Sequence, residues 1–166
     1  MSKYIHKSHN VTVLLYHLVF PAKYRKVVID ERVDQVMKTI CLEIEKRYQI
    51  KFLEIGTDED HAHFLVQSVP TYTVTKIVTT VKSITARGVF KQCTEVKQEL
   101  WGGEFWTDGS FASTVSKHGD ENMISNYVKN QGKKYKQLHS DHQLVLFWQY
   151  PAACGGVVYF DCSLYS

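Results

Sequence analysis

The chain has 166 residues, of which 44% are apolar and 22% are charged, and its formal net charge at pH 7 is +3. These values predict one globular domain, which we place at residues 1–143, and they exclude a strongly basic or acidic chain. The four cysteines lack the paired spacing of a zinc site, and the first residues do not resemble a signal peptide, so we expect a reduced, cytoplasmic setting.

The first half of the chain predicts a strand, a helix and two more strands. Asn10 to Phe20 is β-rich and apolar on both faces, which predicts a central strand. Asp30 can cap a helix that carries apolar residues at helical spacing as far as Tyr48. Ile50 to Ile55 and Ala62 to Ser68 then predict two strands joined by an acidic turn.

The second half predicts a helix, a hairpin and a last helix. Val74 to Ile84 forms an apolar stripe, Phe105 to Val115 surrounds the turn signal Asp108-Gly109, and a helix can begin at Asp120. The order is β-α-β-β-α-β with an added C-terminal helix. It predicts an α+β fold with ferredoxin-like or RRM-like order, in which helices cover one face of an antiparallel sheet and histidines lie on the open face.

Two histidines separated by one alanine form the most informative short motif, His61-Ala62-His63. Alternate side chains of a strand point to the same face, so the two imidazoles share a face while Ala62 points into the core. Two imidazoles on one face can bind one metal ion, but a bare pair is also compatible with two exposed histidines. Asp60, directly before them, can orient an imidazole or stay a solvated acid of the turn.

A second group lies on the predicted last helix. Residues four apart share a helix face, so Tyr127 and Gln131 project side by side. A phenol next to a carboxamide oxygen suits a nucleophile beside a metal ligand. Taken alone, Tyr127 is more simply interpreted as one of ten tyrosines, packed on the apolar stripe.

Together these motifs resemble those of a known family. The paired histidines are similar to the motif of the HUH nucleases, and Tyr127 followed by Gln131 is similar to the tyrosine helix of the small TnpA-type transposases of insertion sequences. Other segments are similar to that family in the same order, over residues 10 to 138: Tyr16 to Phe20 with Lys23 to Lys26, Leu53 to Val66, Lys76 to Phe90, and Trp101 to Gly109 with Ser113 to Val115.

The resemblance implies a metal-dependent DNA transposase. Tyr127 would attack a DNA phosphodiester and form a 5′-phosphotyrosine, while His61, His63 and Gln131 would hold Mg²⁺ or Mn²⁺. The substrate would be single-stranded DNA with hairpins at the ends of an insertion sequence. The resemblance also implies a homodimer whose tyrosine helices are exchanged in trans, which Gly119, in a short polar link before that helix, permits.

Basic residues are grouped along the chain. All 20 Lys and Arg lie before residue 137, with aromatic residues near several groups. This pattern is typical of contact with a phosphate backbone and stacked bases, and also of solvated helix faces. The candidates for DNA contact lie in the basic turn and on the second helix: Lys23, Arg25, Lys26, Lys76, Lys82 and Arg87.

The sequence is also compatible with two functions other than transposition. An HUH nickase acting in replication, in conjugation or on chromosomal repeats would use the same residues. A non-enzymatic module that binds single-stranded nucleic acid could use the same fold. Tyr127 separates the binding module from the enzymes, because binding alone should not require its hydroxyl.

Residues 144–166 form an apolar tail without Lys or Arg. We do not expect a membrane span, because polar, glycine and proline residues interrupt the apolar run: Gln149, Pro151, Gly155, Gly156 and Asp161. The tail matches no part of the family pattern. An extra strand pair, a dimer contact and non-native sequence all stay open as explanations.

Overall fold

The computed structural model describes residues 6–7, 10–11, 14–115 and 136–140. The predicted tyrosine helix, with Tyr127 and Gln131, and the apolar tail lie outside these residues. In chain order the described elements are β1 His6–Lys7, β2 Asn10–Val11, β3 Leu14–Pro21, a 3-10 turn Lys23–Arg25, α1 Glu31–Arg47, β4 Ile50–Asp58, β5 His61–Ser68, α2 Val74–Gln92, α3 Thr94–Glu99, β6 Phe111–Val115 and β7 Lys136–Ser140.

Five strands form one antiparallel sheet in the order β6-β3-β5-β4-β7, and β1 and β2 form a separate two-stranded ribbon. The interior position of β3 confirms the prediction of a central strand. The α+β class and the β-α-β-β-α-β order are also confirmed, with the short helix α3 added before β6.

Both long helices begin where the chain supplies a side-chain cap. Asp30 accepts a hydrogen bond of 2.8 Å from the backbone N–H of Val33, and Thr73 accepts one of 3.1 Å from that of Lys76. The apolar stripes of α1 and α2 then pack in one core with the facing side of the sheet. The largest fully buried side chains of that core include Phe20, Phe52, Phe64, Met37, Ile44 and Ile77.

The strand registers define two faces of the sheet. Ala62, Phe64 and Val66 of β5 belong to the core beneath the helices, so the alternate residues of β5 lie on the other side. We call that side the histidine face. Alternation and register assign to it Leu15, His17, Val19, Glu54, Gly56, His61, His63, Leu65, Gln67, Phe111 and Ser113.

The prediction that this face is open is wrong. His17, Glu54, His63 and Gln67 are all buried. Phe111 of the neighbouring strand β6 packs edge-on against His17, with 5.9 Å between the ring centroids. The pattern of β5 could show which way its residues point, but not which side chains the adjacent strands place beside them.

The predicted hairpin from Phe105 to Val115 is also wrong, because only β6 forms a strand and its partner is β3. Phe105 and Trp106 are buried, and their segment bonds to the end of β3 instead. The N–H of Lys23 donates to the carbonyl of Phe105 at 2.8 Å, and the N–H of Thr107 donates to that of Pro21 at 3.0 Å. Burial of two aromatic rings therefore overrides the local turn signal.

Across the described ranges, no helix combines the length and the apolar character that crossing a membrane requires.

Candidate active site

The paired histidines lie at the start of β5, next to the turn from β4. Their rings are neighbours, with centroids 4.8 Å apart and planes inclined at 69°. Ala62 between them is fully buried on the helix side, as the alternation predicts. The structure therefore places both imidazoles on one face, with His61 partly exposed and His63 only 2% exposed.

Asp60 orients the first imidazole. Its Oδ1 lies 2.6 Å from Nδ1 of His61, and its Oδ2 lies 2.8 Å from Nε of Arg25. The carboxylate thus connects the guanidinium to the imidazole. With Nδ1–H of His61 donating to Asp60, Nε2 becomes the nitrogen through which this ring would bind a metal.

Backbone bonds hold Arg25 in reach of Asp60. The N–H of Ala22 donates to the carbonyl of Asp60 at 2.8 Å, and the N–H of Ile29 donates to that of Glu59 at 3.0 Å, so the loop after β3 is fastened to the acidic turn. Within this loop Tyr24 and Arg25 have φ of +59° and +54°. Left-handed backbone at residues other than glycine costs about 1–2 kcal/mol each, which the fastened loop must offset.

A third histidine, His17, contacts the second imidazole. Its Nε2 lies 3.2 Å from Nδ1 of His63, and the two rings are nearly parallel, with planes 8° apart. His17 is on β3, opposite Leu65, which places it diagonally across from His63 on the histidine face. His17 was not among the residues predicted for the site, although a histidine in an otherwise apolar central strand was a signal for it.

Burial keeps these imidazoles neutral at pH 7. Desolvation lowers the pKa of His63 to about 3, with smaller contributions from the neighbouring His61 and His17. Desolvation alone lowers the pKa of His17 to about 4. A neutral imidazole is the form that binds a metal ion, because one ring nitrogen must offer its lone pair.

The basic turn is largely engaged by acids of the same chain. Lys23 forms ion pairs with Glu104 and Asp108, and the Glu104 contact is the main reason that the pKa of Lys23 is raised. Nζ of Lys26 donates to the carbonyl of Glu99 at 2.7 Å. These contacts fasten the turn to the segment before β6, and they compete with the role in DNA contact that the sequence predicts.

The three basic candidates of α2 differ from one another. Nζ of Lys82 donates to three carbonyl oxygens, those of Thr107 at 2.9 Å, Asp108 at 3.2 Å and Gly109 at 2.6 Å. Lys76 and Arg87 are exposed. Lys82 therefore holds the Asp108-Gly109 turn, whereas Lys76 and Arg87 present their charge at the surface.

The chain is similar in sequence to known transposases. The family model described as "Transposase IS200 like" matches residues 10–131, a span that contains His61, His63, Tyr127 and Gln131. The ISDra2 transposase TnpA of Deinococcus radiodurans is 29% identical over 121 residues, which cover 73% of this chain and 86% of that protein. The transposase for insertion sequence element IS200 of Salmonella typhimurium is 26% identical over 116 residues, or 70% of this chain and 75% of that protein.

A solved structure agrees with these relatives. The crystal structure of a proposed transposase from Deinococcus radiodurans R1 matches with a TM-score of 0.60 and 29% identity, over 78% of this chain and 98% of that chain.

Proposed function

The chain belongs to the IS200-like transposase family, and we propose that it cleaves and rejoins single-stranded DNA at insertion-sequence ends, with Tyr127 as nucleophile. The observation that carries this proposal is the arrangement of His61 and His63. Both rings lie on one face, and a neighbouring side chain engages Nδ1 of each.

We propose that His61, His63 and Gln131 hold Mg²⁺ or Mn²⁺. The two imidazoles fit a metal, since both rings lie on one face, the Asp60 contact leaves Nε2 of His61 as its ligand atom, and burial keeps His63 neutral. Within the described ranges, no group of three or more His, Cys, Asp or Glu side chains could hold a metal ion, and the proposed third ligand is a glutamine outside them. When bound, the ion would polarise the scissile phosphate as a Lewis acid.

The proposed step is a transesterification. The phenol of Tyr127 loses its proton as its oxygen forms a bond to phosphorus, the bond from phosphorus to the 3′ oxygen breaks, and that oxygen takes up a proton, so no proton is gained or lost overall. The phosphotyrosine is itself a phosphodiester, so the bond energy of the cleaved linkage is retained. A 3′-hydroxyl on another DNA end can therefore attack it and join the strands without ATP. The unperturbed phenol has a pKa of about 10, which is why the attacking group needs activation near pH 7.

We propose that the DNA carries hairpins and that exposed cations of α2 contact its phosphates. Lys76 and Arg87 are the remaining candidates on that helix, because Lys82 already donates to three carbonyl oxygens. Arg25 is exposed but pairs with Asp60, so its primary role lies with the metal centre. We place the reaction in the cytoplasm, in keeping with the buried free thiols of Cys41 and Cys93.

We further propose a homodimer in which the tyrosine helix of one chain completes the histidine face of its partner. The polar link with Gly119 permits this exchange. Each site would then form only in the dimer, which couples two cleavages to one complex.

The test is a search for covalent protein–DNA adducts. Full-length protein is incubated with 5′- and 3′-labelled single-stranded hairpin oligonucleotides in Mg²⁺. We expect an adduct on the fragment with the 5′ phosphate, and we expect Tyr127→Phe to abolish it while hairpin binding persists. Binding without adduct in the wild type would favour the binding module, and an adduct in the Phe variant would remove Tyr127 as nucleophile.

A further inference from the structure

The contact between His17 and His63 is the most informative feature that the proposed chemistry leaves without a role. The nitrogens are 3.2 Å apart, both rings are buried, and the ring planes differ by only 8°. Such a distance requires one shared proton, because two bare imidazole lone pairs would repel each other. The direction of donation therefore decides which nitrogen of His63 carries hydrogen.

Only one direction is compatible with metal binding by His63. If His17 donated, Nδ1 of His63 would accept, and the proton of neutral His63 would sit on Nε2 and block a metal. If His63 donates from Nδ1, its lone pair sits on Nε2, on the side of the ring away from His17, and Nε2 is then the atom that can act as a ligand.

We propose that His17 is a positioning residue of the metal centre, whose Nε2 accepts a hydrogen bond from Nδ1–H of His63 and thereby sets the ring of His63 to bind metal through Nε2. This inference rests on the proposed function, since it takes His63 as a ligand. It adds His17, a residue of β3, to the metal centre. His17 would accept from Nδ1 of His63 as Asp60 accepts from Nδ1 of His61.

Burial explains why the two imidazoles have different acceptors. Asp60 is partly exposed and pairs with Arg25, so a carboxylate is tolerated beside His61. His17 is only 3% exposed. A carboxylate at its position would be a buried charge with a large desolvation cost, whereas a neutral imidazole accepts the same hydrogen bond without that cost.

The first test measures Mn²⁺ binding to the full chain without DNA, by electron paramagnetic resonance of the free ion. His17→Phe keeps a ring of similar size but removes the acceptor, and we expect Kd to rise about 10- to 100-fold. His17→Gln offers an amide oxygen near the position of Nε2 and should recover most of this loss. Ser113→Ala, which changes the residue paired with His17 on β6, is the matched control and should leave Kd unchanged.

The outcomes separate the inference from the proposed function. If His61→Ala weakens binding but folded His17→Phe does not, the positioning role of His17 is refuted and the metal site stands. If His17→Gln is as weak as His17→Phe, ring packing and not the hydrogen bond matters, and the inference fails. If neither His61→Ala nor His63→Ala changes Kd, the metal site itself is wrong.

A second measurement reads the tautomer in the wild-type protein and uses a variant only to assign the signals of His63. Long-range ¹H–¹⁵N spectra of metal-free protein, with His63 assigned through His63→Gln, report the tautomer of each ring. We expect the proton of His63 on Nδ1, opposite to the Nε2–H form that free imidazole side chains favour in water. A proton on Nε2 of His63 would overturn the inference.

Discussion

Lys82 offers a sharp test of whether a basic residue of α2 serves the fold or the DNA. Its ammonium donates to the carbonyls of Thr107, Asp108 and Gly109 and lies 5.3 Å from the centroid of the Phe20 ring. Lys82→Met keeps most of the aliphatic stem and removes these contacts. The change should therefore loosen the turn before β6 while leaving the apolar packing of α2 in place.

The expected loss follows from the contacts. A hydrogen bond to a charged group contributes about 1.5–3 kcal/mol net, and a cation over an aromatic ring about 0.5–1 kcal/mol at an exposed site. The three bonds do not add, because Asp108 and Gly109 are exposed and water can replace the ammonium at their carbonyls. We therefore expect Lys82→Met to lower the free energy of unfolding by about 2 kcal/mol, measured in urea.

The control is Lys76→Met on the same helix. Lys76 is exposed and its Nζ lies 5.9 Å from the centroid of the Tyr72 ring, so its loss should lower the free energy of unfolding by at most about 0.5–1 kcal/mol, less than the loss of Lys82. If Lys76 contacts a phosphate, its loss should flatten the log–log salt dependence of hairpin binding by about one unit, and loss of Lys82 should not. The reasoning is refuted if Lys82→Met is as stable as wild type and flattens the salt dependence instead.

Three further predictions concern the sheet, the metal centre and the dimer. Thr57→Val should lower the free energy of unfolding by about 1.5–3 kcal/mol, because the hydroxyl donates at 2.7 Å to the buried carboxylate of Asp34. Asp60→Asn should weaken Mn²⁺ binding about 10- to 100-fold in a direct titration, because a neutral amide makes His61 a less basic ligand. Mixing His61→Ala protein with Tyr127→Phe protein should restore DNA cleavage, because a trans dimer then contains one intact site.

Each of these has a matched control or a contrary outcome. Thr39→Val removes an exposed hydroxyl on α1 and should be nearly neutral in the same urea titration. Glu43→Gln, on the exposed side of α1, should leave Mn²⁺ affinity unchanged. In the mixing experiment, proven subunit exchange without recovered cleavage would mean that each helix serves its own chain.

Local patterns predicted the main elements well. Asp30 correctly predicted the start of α1, because its side chain accepts a hydrogen bond from the Val33 N–H. Alternation in β5 correctly placed His61 and His63 on one face, because strand geometry alone determines that relation. These features depend on neighbours in sequence, which is why a single chain can show them.

Features that depend on tertiary contacts were not predictable in the same way. The contact of His17 with His63 spans 46 positions and requires the register of β3 on β5. The three acceptors of Lys82 lie 25 to 27 positions away along the chain. The sequence therefore did not distinguish Lys82 from the other basic residues on the same helix face. The prediction for Tyr127 and Gln131 stays a prediction, because both lie outside the described residues.

The central claim is that His61 and His63 together bind the metal ion. Pulsed electron paramagnetic resonance of Mn²⁺ on protein with ¹⁵N-labelled histidine tests this most directly, because coupled ¹⁵N nuclei report imidazoles in the coordination shell. We expect couplings from two imidazoles in the wild type and from one in His61→Ala. Stoichiometrically bound Mn²⁺ without any histidine coupling would contradict the account.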